Sequence, residues 1–61
     1  MITKEKFKRF VKVQASGVCN MYSNEVQRLA DLTRDEHMEI INHYKVYEDM
    51  YNISVEDFME D

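Results

Sequence analysis

The stretch Leu29-Ala30-Asp31-Leu32-Thr33-Arg34-Asp35-Glu36 decides the fold. Thr33 with Glu36 three residues later has the spacing of a capping box. The threonine hydroxyl accepts from a first-turn amide, and the glutamate reaches back to the Thr33 amide. Asp35 adds a carboxylate where the helix dipole is positive. A helix therefore opens at Arg34. Upstream, Val26, Leu29 and Ala30 form the apolar side of a shorter helix, and Leu32 falls between the two as a plug. The segment reads as helix, tight turn, helix.

Downstream, His37, Ile40, Ile41, Tyr44, Tyr47, Glu48 and Tyr51 recur at three- and four-residue steps, which predicts one helix over about 34–51. Asn52 and Ile53 end it. Ser54-Val55-Glu56-Asp57 then opens a short helix over about 55–60, whose Val55, Phe58 and Met59 fold back onto the core. Upstream, Asn20 or Ser23 caps a helix over about 23–31. A first helix spans about 3–16, with Thr3 as cap, Phe7, Phe10, Val11 and Gln14 at helical spacing, and Gly17 as a left-handed stop. Val18-Cys19-Asn20-Met21-Tyr22 reads as an apolar connector dipping into the core. There is no proline, no linker and no repeat. The expected architecture is all-α and a single domain over 1–61. It is a compact bundle of three helices plus a short C-terminal helical turn, with a helix-turn-helix-like arrangement of helices 2 and 3.

A chain of 61 residues builds only a thin core. At roughly 25 cal/mol per Å², apolar burial nearly cancels against ordering entropy. Chains of this size usually add a metal, a disulfide, a partner or very regular helix packing. Cys19 is the lone cysteine, so no intrachain disulfide forms, and with two scattered histidines it makes a poor zinc set. Neither a metal nor another cofactor is expected. The first residues carry charges where a signal peptide needs an apolar run, and nothing approaches the ~18 apolar residues of a membrane span. The expectation is a cytoplasmic protein with no membrane partner.

Catalytic material is scarce. His37 and His43 lie six apart and share no helix face, and Glu39 with His43 is the ordinary surface pair. One glycine excludes a phosphate-cradling loop. The reading is a protein that is not an enzyme.

Charge is uneven. Residues 1–14 hold five bases against Glu5 alone, a local +4, and the remainder holds Arg28, Arg34 and Lys45 against eleven acids, a local −8. Such a layout steers a partner or ties the two ends of the molecule together. Residues 25–42 have the rhythm of a DNA-binding helix-turn-helix, and the Leu29-to-Thr33 turn resembles the Leu-Ala-x-Val-Ser turn of small bacterial repressors. Lys8, Arg9, Lys12 and Arg34 would carry DNA contacts. Yet Asp35, Glu36 and Glu39 stand where the major groove would be entered, and phosphate demands the opposite sign. Nucleic acid is therefore the less favoured partner.

Protein is the favoured one. Met38, Tyr47, Met50, Tyr51, Phe58 and Met59 exceed what one small bundle hides, and Met and aromatics are favoured in interface cores. The expected partner surface is Asp35, Glu36 and Glu39 together with Met38, Tyr47 and Tyr51, offered to a basic groove. A homodimer is the cheapest way to finish the burial.

The run Phe10-Val11-x-Val13-Gln14-x-Ser16-Gly17-Val18-x-Asn20-Met21, followed by Leu29-Ala30-x-Leu32-Thr33 and Ile40-Ile41-x-x-Tyr44, resembles a group of very small uncharacterised proteins of bacteriophages and prophages. The resemblance covers most of the chain, from about Phe7 to Tyr51. Cys19 departs from it, standing where a small hydroxyl residue is usual. The resemblance implies a phage accessory protein that acts stoichiometrically on a host or phage protein, host-defence components included. A small DNA-binding regulator and a virion or assembly component are the alternatives.

Overall fold

The computed structural model describes residues 2–17 and 20–58. It is all-α, with the order α1 (Lys4–Ala15), α2 (Asn24–Leu29), α3 (Arg34–Asn42), α4 (Tyr44–Tyr51) and a short 3-10 helix, Val55–Phe58. Val18 and Cys19 of the expected connector, and Met59 and Glu60 of the expected last helix, lie outside the described residues.

Local chemistry accounts for the helix starts. The Thr3 hydroxyl accepts from the Lys6 amide at 3.2 Å. At Thr33 the capping box is complete: its hydroxyl accepts from the Glu36 amide at 3.1 Å, and Glu36 Oε1 accepts from the Thr33 amide at 3.0 Å. The stops are left-handed residues, Gly17 at φ 92° and Asn52 at φ 54°, where a missing or short polar side chain keeps that conformation cheap. Asp31 takes the same conformation, φ 55°, in the turn between α2 and α3.

Phe7 is the centre of the core. It is fully buried, and the rings of Tyr44, Tyr47 and Tyr51 surround it at 5.5, 5.9 and 6.2 Å between centroids. Phe10 sits one turn on, against His37 and Tyr44, both at 6.0 Å. Val11, Val26, Ala30, Leu32 and Ile40 complete the interior. Ile2, ahead of α1, is anchored to α4 here too. Ile2 is buried, its amide donates to the Tyr47 hydroxyl at 3.3 Å, and its carbonyl accepts from the Tyr51 hydroxyl at 2.5 Å. The 3-10 helix packs against α1, with Lys12 Nζ 5.7 Å from the centre of the Phe58 ring.

Three expectations change. The single helix over 34–51 is two helices. His43 leaves helical geometry (φ −130°, ψ 28°), and its amide is shared between the Glu39 and Ile40 carbonyls at 3.1 and 3.3 Å. No proline or glycine stands there, so packing sets the bend: His37 and Ile40 are held in the core before it, and three tyrosines are drawn onto Phe7 after it. Leu29, expected inside, is 52% exposed. Val26 and Ala30, one turn apart, already occupy the buried side of α2, and the turn at Asp31 delivers Leu32 to the core instead. Tyr22, expected to dip inward with the connector, is 73% exposed.

Candidate functional site

Two of the three acids of α3, Glu36 and Glu39, are engaged within the molecule. Glu36 Oε2 pairs with Lys6 Nζ of α1 while Oε1 caps Thr33. The Lys6 hydrogen bond foremost, then the Thr33 amide, holds the Glu36 carboxyl below its ordinary value. Glu39 Oε2 accepts from the Tyr47 hydroxyl at 2.7 Å. That hydrogen bond, then burial, pushes the Tyr47 hydroxyl above its usual range, and burial does the same for Tyr44.

These shifts make the fold's stability depend on pH at both ends of the range. Glu36 is lowered in the folded state, so its stabilisation is complete above about pH 4.3 and is lost as pH falls through the lowered value. Tyr44 and Tyr47 are raised, so theirs is complete below about pH 10 and is lost as pH climbs through the raised values. Glu36→Gln should flatten the acid limb of a melting-temperature profile and leave the alkaline limb unchanged. An unaltered acid limb would mean that Lys6 and Thr33 do not hold the carboxylate.

The expected partner surface is therefore corrected. Tyr47 is buried, at 4% exposure, and Tyr51 is half-buried with its hydroxyl committed to Ile2. Glu36 and Glu39 face inward flanks rather than open solvent. Asp35 and Met38 remain exposed. The bases expected for DNA are not gathered on α3 either. Arg34 is exposed beside Asp35, whereas Lys8, Arg9 and Lys12 lie on α1, and Arg9 donates to the Ala30 carbonyl at 2.8 Å and to the Asp31 carbonyl at 3.4 Å. Lys8 is half-buried and Lys12 exposed.

A different surface takes the place of the acidic one. Phe10, Gln14, Met21, Tyr22, Ile41 and Tyr44 line an apolar groove of about 270 Å³. Its far wall is the flank of α3 opposite the acids: Ile41 lines it, and Met38 and Arg34 follow at i−3 and i−7 on the same side. Its near wall is set by His37, which is buried. His37 Nε2 lies 2.7 Å from the Met21 carbonyl and Nδ1 lies 3.0 Å from Gln27 Nε2. A carbonyl only accepts, so Nε2 carries the proton and Nδ1 accepts from Gln27. This bridge ties the Met21–Tyr22 segment to α2 and α3. The Tyr44 hydroxyl donates to Gln14 Oε1 at 2.8 Å and closes the groove's end.

Sequence reasoning missed Tyr22 as a surface residue. The signal available was Asn20, whose side chain accepts from the Tyr22 amide at 2.9 Å. That local turn lifts the tyrosine away from the core.

Among the described residues no group of three or more His, Cys, Asp and Glu side chains stands close enough to hold a metal ion, and no helix is long and apolar enough to cross a membrane. Every buried side-chain nitrogen and oxygen among them has a hydrogen-bond partner. Comparison with protein-family models, with curated proteins and with solved structures finds no match.

Proposed function

We propose that this chain is a non-enzymatic protein-recognition module that docks on a host or phage protein and modulates it. The phage setting comes from the sequence resemblance. One observation carries the recognition reading: a protein of 61 residues leaves Tyr22, Leu29, Met38, Val46 and Met50 between 47% and 73% exposed. Tyr22 and Ile41 line the groove, and Met38 precedes Ile41 by one turn on the same side of α3. Tyrosine and methionine on an accessible apolar surface are what interface cores select. Glu36 and Glu39 are paired within the molecule, so these apolar side chains, rather than the acids, are what a partner would meet.

A photo-crosslinking residue at Tyr22 tests it in extract from bacterial host cells, with the same residue at Glu25 as control. The expected result is a discrete adduct from position 22 that position 25 does not give and that Met38→Asp abolishes. Identical adducts from both positions, or none from position 22, would overturn the reading.

DNA binding stays the second reading. The inward acids favour it, because they no longer repel phosphate from the outer face of α3. Against it, Arg34 is offset by Asp35 there, and affinity for duplex DNA scales with the number of phosphates neutralised. Under that reading Arg34→Glu abolishes a low-salt gel shift.

A further inference from the structure

Outside the groove, the exposed apolar residues form two complementary features on different helices. The first is a cleft of about 270 Å³ between α1 and α2, lined by Arg9, Lys12, Val13, Ser16 and Leu29. Its floor is apolar and its rim basic. The Arg9 guanidinium is held in place by the Ala30 carbonyl, so this cation is pre-positioned. Lys12 continues a line with Lys4 and Lys8, one turn apart each along α1, and among the described residues none of the three makes an ion pair.

The second feature is a ridge on α4. Val46 and Met50, at i and i+4, are 55% and 48% exposed, and the exposed Asp49 lies beside them. Asp49 makes no ion pair among the described residues. With Glu48, Asn52, Glu56 and Asp57 it also lines an acidic hollow of about 410 Å³ next to the ridge. An apolar cleft with basic walls thus exists on the same chain as an apolar ridge with acidic walls.

We infer that the occupant of the α1–α2 cleft is a second copy of this chain, inserting Val46 and Met50 against Val13 and Leu29 with Asp49 meeting Lys12. Charge complementarity selects this occupant. A chain of net charge −4 repels its own copies on average, and here the basic and acidic patches are segregated so that local attraction opposes that repulsion. Size permits it as well. A stable interface takes about 800 Å² from each partner, and the molecule, 32 × 25 × 16 Å, has broad faces of that order. The inference builds on the reading of this protein as a recognition module, but it uses a surface that shares no lining residue with the Tyr22 groove.

Sedimentation of the full chain between micromolar and millimolar concentration tests it, at low and high salt. The expected result is reversible self-association, at least ~10-fold weaker at 0.5 M than at 0.05 M salt, since exposed ion pairs are screened. Leu29→Asp removes the cleft and Met50→Asp removes the ridge, and each alone should weaken association ~10-fold or more. Both positions are exposed, so circular dichroism should show both variants folded. Mixing the two should recover a 1:1 complex, because one intact cleft and one intact ridge remain. A chain that is monomeric in every condition overturns the inference, as does association indifferent to Leu29→Asp or a mixture that recovers nothing. None of these outcomes touches the crosslink from Tyr22, so the recognition reading stands or falls separately.

Discussion

Phe7→Ala is expected to leave the chain largely unfolded at room temperature. Phe7 is fully buried and is ringed by Tyr44, Tyr47 and Tyr51, so its removal opens a void on three sides at once. Deleting a buried phenylalanine costs about 3–5 kcal/mol, including the residual cavity. A protein of this size has a total stability of only roughly 3–9 kcal/mol at the usual stability per residue. The two quantities are comparable, so the loss is not absorbed. Far-UV circular dichroism with a urea titration would show it, and Phe58→Ala, at a half-buried ring, should cost far less. A cooperative melt of Phe7→Ala within a few degrees of the parent would contradict the packing described.

The second large effect is expected at His37. Leucine matches the ring's bulk but makes no hydrogen bond, so His37→Leu strands the Met21 carbonyl and the Gln27 amide beneath the groove. An unsatisfied buried polar group costs about 1–3 kcal/mol. Met21 and Gln27 are half-buried, and Gln27 Nε2 keeps Asn24 Oδ1 at 3.5 Å, so the expected loss is about 1–3 kcal/mol, read as a lowered urea midpoint. His37→Gln, which keeps a donor of similar reach, should recover part of it. The functional consequence is more specific than the loss of stability. Where the variant remains folded at low temperature, the Tyr22 crosslink should weaken, because the wall carrying Met21 and Tyr22 is no longer tied to α3. An undiminished crosslink would show that the bridge is not what positions that wall.

The fold was legible wherever a residue's neighbours in sequence are its neighbours in space. The Thr33–Glu36 box, the Thr3 cap and the stops at Gly17 and Asn52 are local devices, and each was readable from a few letters. The buried faces of α1 and α3 followed from periodicity. The bend at His43 was not legible, since the spacing of apolar residues is almost the same on a straight helix and on two helices joined by one non-helical residue. Leu29 was misplaced because a six-residue helix has too few turns for periodicity to tell which flank is buried.

The site was less legible than the fold. Tyr47 and Tyr51 looked like surplus apolar surface, yet each spends its hydroxyl on Ile2, a residue more than forty positions away. Glu36 and Glu39 looked outward because their partners, Lys6 and Tyr47, belong to other helices. Periodicity assigns a face, but it does not reveal what the neighbouring helix brings to that face.

The hold that Tyr47 and Tyr51 exert on Ile2 spans 45 and 49 residues of the chain. Ile2 is therefore seated only once Tyr47 and Tyr51 are in place, and closing a span of that length carries an entropy cost that a local contact does not. Helix α1 can coil early, but it cannot be seated until α4 has left the ribosome. Chains truncated before Tyr47 should therefore leave Ile2 and the start of α1 open to proteases.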